Sequence, residues 1–471
     1  MKNANKHYLN QELIDTNIIR KLIVFLFLIY SSVGYCAQVE DILAPIKVSK
    51  SNISTWATPI AYRDGQVFIV TVEQPDNVST GINLKTVIRK GEKSSEGWKW
   101  GSFVVDTETI DDQWHNVPSL AIDAKGYIHV AYNMHNMPWQ YSVSTNPLDI
   151  KEFEFKGEIV KTLDKLALKQ FKRTPFPGIG ESAIPGNQIT YPAFFYDKKD
   201  DLYITYRFAV RPRQSFKNRG LAAGIAKYDL EKRTWTALGG EFVIGSEDVL
   251  LKKGNSATVT PFAVSFGWTA YLPRLAFDSG NRMHIAWMWR KGGPGSDHSH
   301  PSYAWSADGG KTFFSLIGNQ YKLPITIETA DKVNLFNPNT KFYGPTRLLL
   351  DPNDTPYLLL QPIGKTRVMT RFDKNKMTWS DPETMPSSAL DFEFDAKGNL
   401  WAFANGLKIY KRSQLTNSWQ LVFEDRDAKS KNKAKKWCQP KVLSVPEKSM
   451  FLVHSQSCDF ERIKITSVRW D

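Results

Sequence analysis

The amino-acid sequence predicts an all-β chain folded as a single seven-bladed β-propeller, on three observations. The first is a repeat. Two hydrophobic residues, an Asp, a short polar turn and a strand of alternating apolar and aromatic residues recur at 61–72, 121–132, 195–206, 276–287, 349–360, 393–404 and 443–454. The first and last copies are degenerate. The copies start 44 to 81 residues apart, so each interval holds about four short strands with their loops, the spacing of propeller blades. The second is the run Ser306-Ala-Asp-Gly-Gly-Lys-Thr-Phe313, an Asp-box, in which an Asp side chain ties the backbone of a hairpin turn. The third is composition. Aromatic residues make up 13% of the chain and amphipathic helical patterning is scarce, with 161–172 its best example.

Taken in order, the chain begins with an export signal over residues 1–37. The basic pair Arg20-Lys21 precedes an apolar run at 22–30 and the small residues Ser31, Ser32 and Gly34. That run is too short to span a bilayer. Val33-Gly-Tyr-Cys36 resembles a lipoprotein box, but Tyr35 is too large for the position before its Cys. Residues 38–471 form the propeller, which is expected outside the cytoplasm: extracellular, periplasmic or on the cell surface. The formal net charge is +13, from 61 Lys and Arg against 48 Asp and Glu. A basic exported protein points to an acidic partner such as a polyanionic glycan, a cell wall or nucleic acid. The lysine-rich run at 427–436 reads as an exposed loop. Cys438 and Cys458 bracket the last hairpin at similar distances from its turn, and in an exported protein a disulfide between them is expected.

Counting outward from the hairpin turns places residues on one rim. Around the turn Asp123–Gly126, His115 and His135 each lie about ten residues away, with Trp114 and Trp139 beside them. Around the turn centred on Lys199, Tyr191 and Arg207 lie eight residues away on either side and are expected to be cross-strand neighbours. Tyr271 and Arg290 hold similar places about the turn at 278–281. Pro118, Pro192 and Pro273 stand at one offset from their Asp, at strand starts where proline is tolerated. These ends of successive blades face one central cleft. Singly, a His or Tyr at a strand end is an ordinary packing residue; together they make a site. His129 and His284 fall mid-strand and read as core. His298-Ser-His300, with Asp297, is a weak metal-ligand pattern, and a polar loop explains it equally well. There is no P-loop, G-x-S-x-G or HExxH motif, so phosphate-loop, esterase and zincin chemistry are without support.

These residues resemble the secreted β-propeller lyases that cleave ulvan, closest to polysaccharide lyase family 25 and related to family 24. The resemblance rests on WHNVPSLAID…HVAYNMH, ITYPAFFYD…LYITYR, AYLPRLAFD…HIAWMWR and the Asp-box, and spans essentially the whole exported chain. It implies a catalytic Tyr, an Arg on the uronate carboxylate and accompanying histidines, which fall on Tyr191, Arg207, His115 and His135. Tyr271, Arg290, Trp139 and Arg211 are the expected substrate contacts, with Arg213 and Arg219 also basic candidates. The implied reaction is β-elimination at uronate C4 of a sulfated rhamnose–uronic acid polymer. Arg207 is expected to neutralise the carboxylate and to favour the phenolate of Tyr191 as base. The reaction needs no cofactor, and the resemblance leaves room for a structural zinc or calcium. The expected partner is a sulfated acidic polysaccharide, with no nucleic acid, no membrane span and a monomeric chain. Two rivals remain open: a sialidase-like glycoside hydrolase and a propeller that binds acidic glycan without cutting it.

Overall fold

The recurring Asp has a specific task. Its Oδ1 accepts backbone N–H groups two and four residues on: Lys125 and Tyr127 for Asp123, Lys199 and Asp201 for Asp197, Asn353 and Thr355 for Asp351, Lys397 and Asn399 for Asp395, all at 2.8–3.0 Å. Asp278 takes the N–H of Arg282 in the same way, at 2.7 Å. One carboxylate thus satisfies turn donors that no strand can reach. The Asp-box works similarly, with Asp308 accepting from the backbone of Lys311 and Thr312 and from the hydroxyls of Ser306 and Thr312.

In the computed structural model, residues 37–49, 56–74, 84–109, 115–157, 184, 187–211, 220–244, 257–291, 298–344, 347–413, 418–425, 437–445, 449–456 and 462–469 are described. Each repeat copy joins the first two strands of an antiparallel group. The first group runs Ile60–Arg63, Gln66–Glu73, Leu84–Ser94, Gly97–Thr109. The inner strands of the next five begin with Ser119–Ile122, Asn187–Tyr196, Trp268–Phe277, Arg347–Leu350 and Ala389–Phe394. The last comprises Trp437–Val445, Ser449–Gln456 and Arg462–Arg469, completed by Gln38–Lys47 from the other end of the chain. Inner strands of consecutive groups lie side by side, and the last returns to the first. A ring of sheets closed in this way is a propeller, and the all-β reading of the sequence holds. No helix among the described residues is long and apolar enough to cross a membrane.

The apolar clusters lie between neighbouring groups: Phe68, Val70, Ile122 and Val130 join the first to the second, and Met288, Tyr303, Leu348 and Leu358 join the fourth to the fifth. His129 and His284 are core residues, as the mid-strand reading expects. His284 bridges the Tyr303 hydroxyl at 2.6 Å and the second oxygen of Asp278 at 3.4 Å, and His129 links Tyr141 and Asp123 in the same pattern. Burial holds both imidazoles below their ordinary pKa, and His454 far below it, with Lys464 adding to the effect on His454. The unfolded chain therefore takes up these protons first, near pH 6.5. Stability is fully kept above that pH and falls as pH drops below it. Thermal melts between pH 8 and pH 5 check this: Tm falls on acidification, and His454→Gln, which takes no proton there, falls less. A Tm that rose on acidification would contradict the assignment.

The expected export signal, the 161–172 stretch, Trp114, Arg213, Arg219, Asp297, the 427–436 run and Cys458 lie outside the described residues, as do the side chains of Arg211 and Cys438. In the strand ladder, Cys438 stands opposite Ser455.

Candidate active site

Two backbone irregularities build the site. The second hairpin is shorter than its sequence implies: its strands end at Ser119 and Ala131. Asn133 and Asn136 then adopt positive φ (51° and 59°), a conformation Asn tolerates better than most residues. The chain turns away and forms a separate strand, His135–Met137, which pairs with the inner strand of the third group, His135 opposite Thr190. His135 therefore reaches the site through the neighbouring group and not as the return strand of its own hairpin. The two imidazoles still meet, stacked at 4.0 Å between centroids and 9° between planes.

The second irregularity is a bulge at Tyr191-Pro192. The ladder pairs Thr190 with Arg207 and resumes at Ala193 with Thr205. Arg207 is thus one residue off its expected partner. Tyr191 has φ 61°, costly for a large L-residue, and this turns its ring out of the strand's alternation. The fourth group repeats the device at the same offset from its Asp, with Leu272 rather than the Tyr at positive φ (53°), directly before Pro273. Tyr271 consequently pairs with Met288, and Arg290 pairs with Thr269.

The side chains converge despite these shifts. Tyr191 and Tyr271 meet edge to face at 5.5 Å, and the Tyr271 hydroxyl donates to the Tyr191 oxygen at 3.0 Å. The Arg207 guanidinium lies over both rings, 4.9 Å from Tyr191 and 5.8 Å from Tyr271. Its Nη2 donates to Asn136 Oδ1 at 2.8 Å and Thr190 Oγ1 at 3.0 Å. Its Nε has no hydrogen-bond partner among the described residues, although the side chain is only 5% exposed. His115 and His135 lie 6.1 and 6.5 Å from the Tyr191 ring. Arg290 lies 5.7 Å over Tyr271.

Burial, with Tyr271 next, pushes the Tyr191 phenol well above its ordinary pKa; Arg207 and Arg290 pull it down without prevailing. Arg207 does favour the phenolate, as expected, but burial outweighs it. The ring is 4% exposed, and desolvation of the anion outweighs the cations beside it. The resting ring is thus held toward its phenol form.

Other expectations divide. Trp139 is not on the cleft wall: it is 0% exposed, stacked on Tyr141 at 4.9 Å inside the core between the second and third groups. The His298/His300 pair does not act together. His298 packs on Tyr271 at 4.5 Å, whereas His300, at φ 50°, turns to Trp268 and Ser299. No group of three metal-ligating residues occurs among the described residues. Sequence reasoning missed Trp56, which meets the Tyr191 ring at 5.2 Å, and the anchors Asn136 and Thr190. Trp56 stands eight residues before the Asp of its hairpin, as His115 does, and that shared offset was the available signal.

A family model described as a BNR repeat-containing family member matches residues 81–382. No curated protein matches the chain. Among solved structures, that of polysaccharide lyase Uly1 superposes with TM-score 0.61 at 14% identity, covering 92% of this chain and 100% of that one. A PL25 ulvan lyase bound to -[GlcA(1-4)Rha3S]- superposes with TM-score 0.58 at 12% identity, covering 92% and 94%. At such identities the likeness is one of fold.

Proposed function

The chain belongs to the BNR repeat-containing family, and from that premise we propose that it is a polysaccharide lyase acting on a uronate-containing, sulfated polymer, ulvan foremost. The observation that carries the reading is the Arg207 guanidinium, buried between two tyrosine rings beside a stacked histidine pair. Around it the described residues bring together phenols, imidazoles, the Arg290 guanidinium, the Asn136 amide and the Thr190 hydroxyl, whereas glycoside hydrolases ordinarily work with a carboxylate pair.

The chemistry follows from what each group holds. A proton on uronate C5 is weakly acidic until the adjacent carboxylate is neutralised. A planar guanidinium does this best, because its fork matches the carboxylate. One imidazole of the stacked pair takes the C5 proton. The electron pair left on C5 forms the C4–C5 double bond as the C4–O4 bond breaks. Tyr191, held as a phenol with Tyr271 donating to its oxygen, gives its own proton to O4. No water is consumed. On this reading Arg290 and Trp56, which pack on Tyr271 and Tyr191, meet the flanking parts of the polymer. The net charge of +13 suits such a partner.

The test is incubation with ulvan, heparan sulfate and chondroitin sulfate. The expected result is ultraviolet absorbance from a C4–C5 unsaturated end, with ulvan the strongest. Chain cutting that yields only saturated reducing ends would make the protein a hydrolase. Binding with no fall in polymer size would make it a glycan-binding propeller.

A further inference from the structure

A pocket lies away from the cleft, where the outermost parts of the fourth and fifth groups meet. Its volume is about 590 Å³, within the range of small-ligand sites. One wall comes from the 315–322 stretch that follows the Asp-box and a second from 329–335. The third comes from Met377 and Thr378–Trp379, the outermost strand of the fifth group. None of its lining residues takes part in the site described above.

The walls are fixed by their own hydrogen bonds. Asp331 Oδ2 accepts the Leu316 N–H at 2.9 Å, which ties the first wall to the second. The Tyr321 hydroxyl accepts the Asp331 N–H at 2.8 Å and donates to the Tyr303 carbonyl at 3.3 Å, so its ring is held in place. The Ser315 hydroxyl accepts the Asn319 N–H at 3.1 Å and closes the turn between them. Trp379 is buried and meets Tyr303 edge to face at 5.5 Å, anchoring the third wall to the fourth group. What these walls present is mixed. Ile317 is 58% exposed and Met377 48%, high for large apolar side chains, and both line this one pocket. Met377 also stands at φ 51°, where Gly or Asn would be easier, so its side chain is kept at a backbone cost. Lys322 and Lys332 are set against one lining acid, Asp331, which already holds the Leu316 N–H. Asn319, Gln320 and Asn334 add side-chain amides.

Amides for hydroxyl groups, exposed apolar carbon for a C–H face and two ammonium groups for an anionic substituent together complement an acidic sugar. We propose that this pocket is a second, non-catalytic binding site for an acidic polysaccharide. One anionic sugar lies with its C–H face on Ile317 and Met377 and its sulfate or carboxylate on Lys322 and Lys332. The polymer is the one the proposed reaction cuts, so the choice of ligand rests on that reading, but binding here does not depend on turnover. A chain held at both places meets the cleft at a raised local concentration.

The test uses the full chain carrying Lys322→Glu and Met377→Gly together. Both positions are exposed and glycine suits the backbone at 377, so the fold is retained. Tm checks this, and Lys322→Glu alone serves if the pair melts early. Kd for long ulvan is measured with Tyr191→Phe as the common background. The pocket substitutions weaken it by about tenfold or more, since the second contact is lost. On a tetrasaccharide, too short to span both places, they leave kcat/KM of the otherwise wild-type chain unchanged. The affinity difference vanishes on desulfated ulvan if the anion is a sulfate, and on carboxyl-reduced ulvan if it is a carboxylate. A difference that survives both treatments overturns the anionic ligand. Equal Kd with and without the substitutions overturns the site, as does slowed cutting of the tetrasaccharide. Absence of turnover on every polymer defeats the lyase reading alone and leaves the Kd comparison to decide the site.

Discussion

Tyr191→Phe lowers turnover about 10²–10⁴-fold, the usual span for a lost acid–base group, and leaves polymer binding nearly unchanged. The substitution removes one oxygen from a ring otherwise held by Trp56, Tyr271 and the Arg207 guanidinium, and Phe keeps all three contacts. The fold is expected to hold, at the cost of the one acceptor that the Tyr271 hydroxyl uses. What is lost is a phenol kept neutral chiefly by burial, whose oxygen already accepts from Tyr271 and whose proton is free for the leaving group. An acid role has its own signature. A synthetic uronide with a good leaving group at C4 needs little protonation, so Tyr191→Phe recovers most of its turnover on that substrate. His115→Ala and His135→Ala, which touch proton removal, do not recover. Measuring kcat and KM on the polymer and on the activated uronide separates the roles. Near-normal polymer turnover by Tyr191→Phe would take Tyr191 out of the chemistry.

Arg207→Lys loses on the order of 10²–10³ in kcat, the scale of one missing donor at a developing anion. Lysine keeps the charge but not the fork. Its ammonium sits on a different stem and cannot lie flat between the two tyrosine rings as the guanidinium does. It also cannot serve Asn136 Oδ1 and Thr190 Oγ1 while facing a substrate, and a lost hydrogen bond from a charged donor costs about 1.5–3 kcal/mol. The variant is thus expected to melt earlier as well as to turn over slowly. A polymer whose carboxylates have been reduced resists the wild-type enzyme for the complementary reason, since nothing acidifies its C5 proton. Wild-type activity in Arg207→Lys would remove carboxylate recognition from this side chain.

The sequence made the hairpins legible because their chemistry is local. An Asp that caps its own turn acts on residues two and four positions away, so Asp123, Asp197 and Asp395 announce themselves without knowledge of the fold. The site was legible only to within a residue. Counting outward from a turn assumes an uninterrupted ladder, and the bulge at Tyr191-Pro192 moves Arg207 opposite Thr190. The convergence survived because side chains as long as Tyr and Arg span such a shift. His135 arrived by another route, through pairing with a strand more than fifty residues away, which no local pattern encodes. Trp139 shows the opposite failure. Its nearness in sequence to His135 implied nearness to the cleft, but its environment is set by Tyr141 and its neighbours in the core. The strand Gln38–Lys47 carries no copy of the repeat, so nothing in the sequence marked it as the missing member of the last group.

That strand makes the ring a clasp whose two halves are made at opposite times. Asp41 meets Lys464 at 2.7 Å and the Thr466 hydroxyl at 2.8 Å, across separations of 423 and 425 residues. A chain synthesised from its N-terminus produces one half of the clasp near the start and must wait for nearly everything else before the other half exists. Intermediate groups can assemble from neighbours as they emerge, but closure joins the most distant contacts in the chain and so comes last. Until then Gln38–Lys47 and the outer edge of Arg462–Arg469 are unpaired templates, each complementary to the same segment of any other chain in the same condition. The fastening that gives the finished ring no loose end is, during assembly, the point at which two chains are most able to exchange strands.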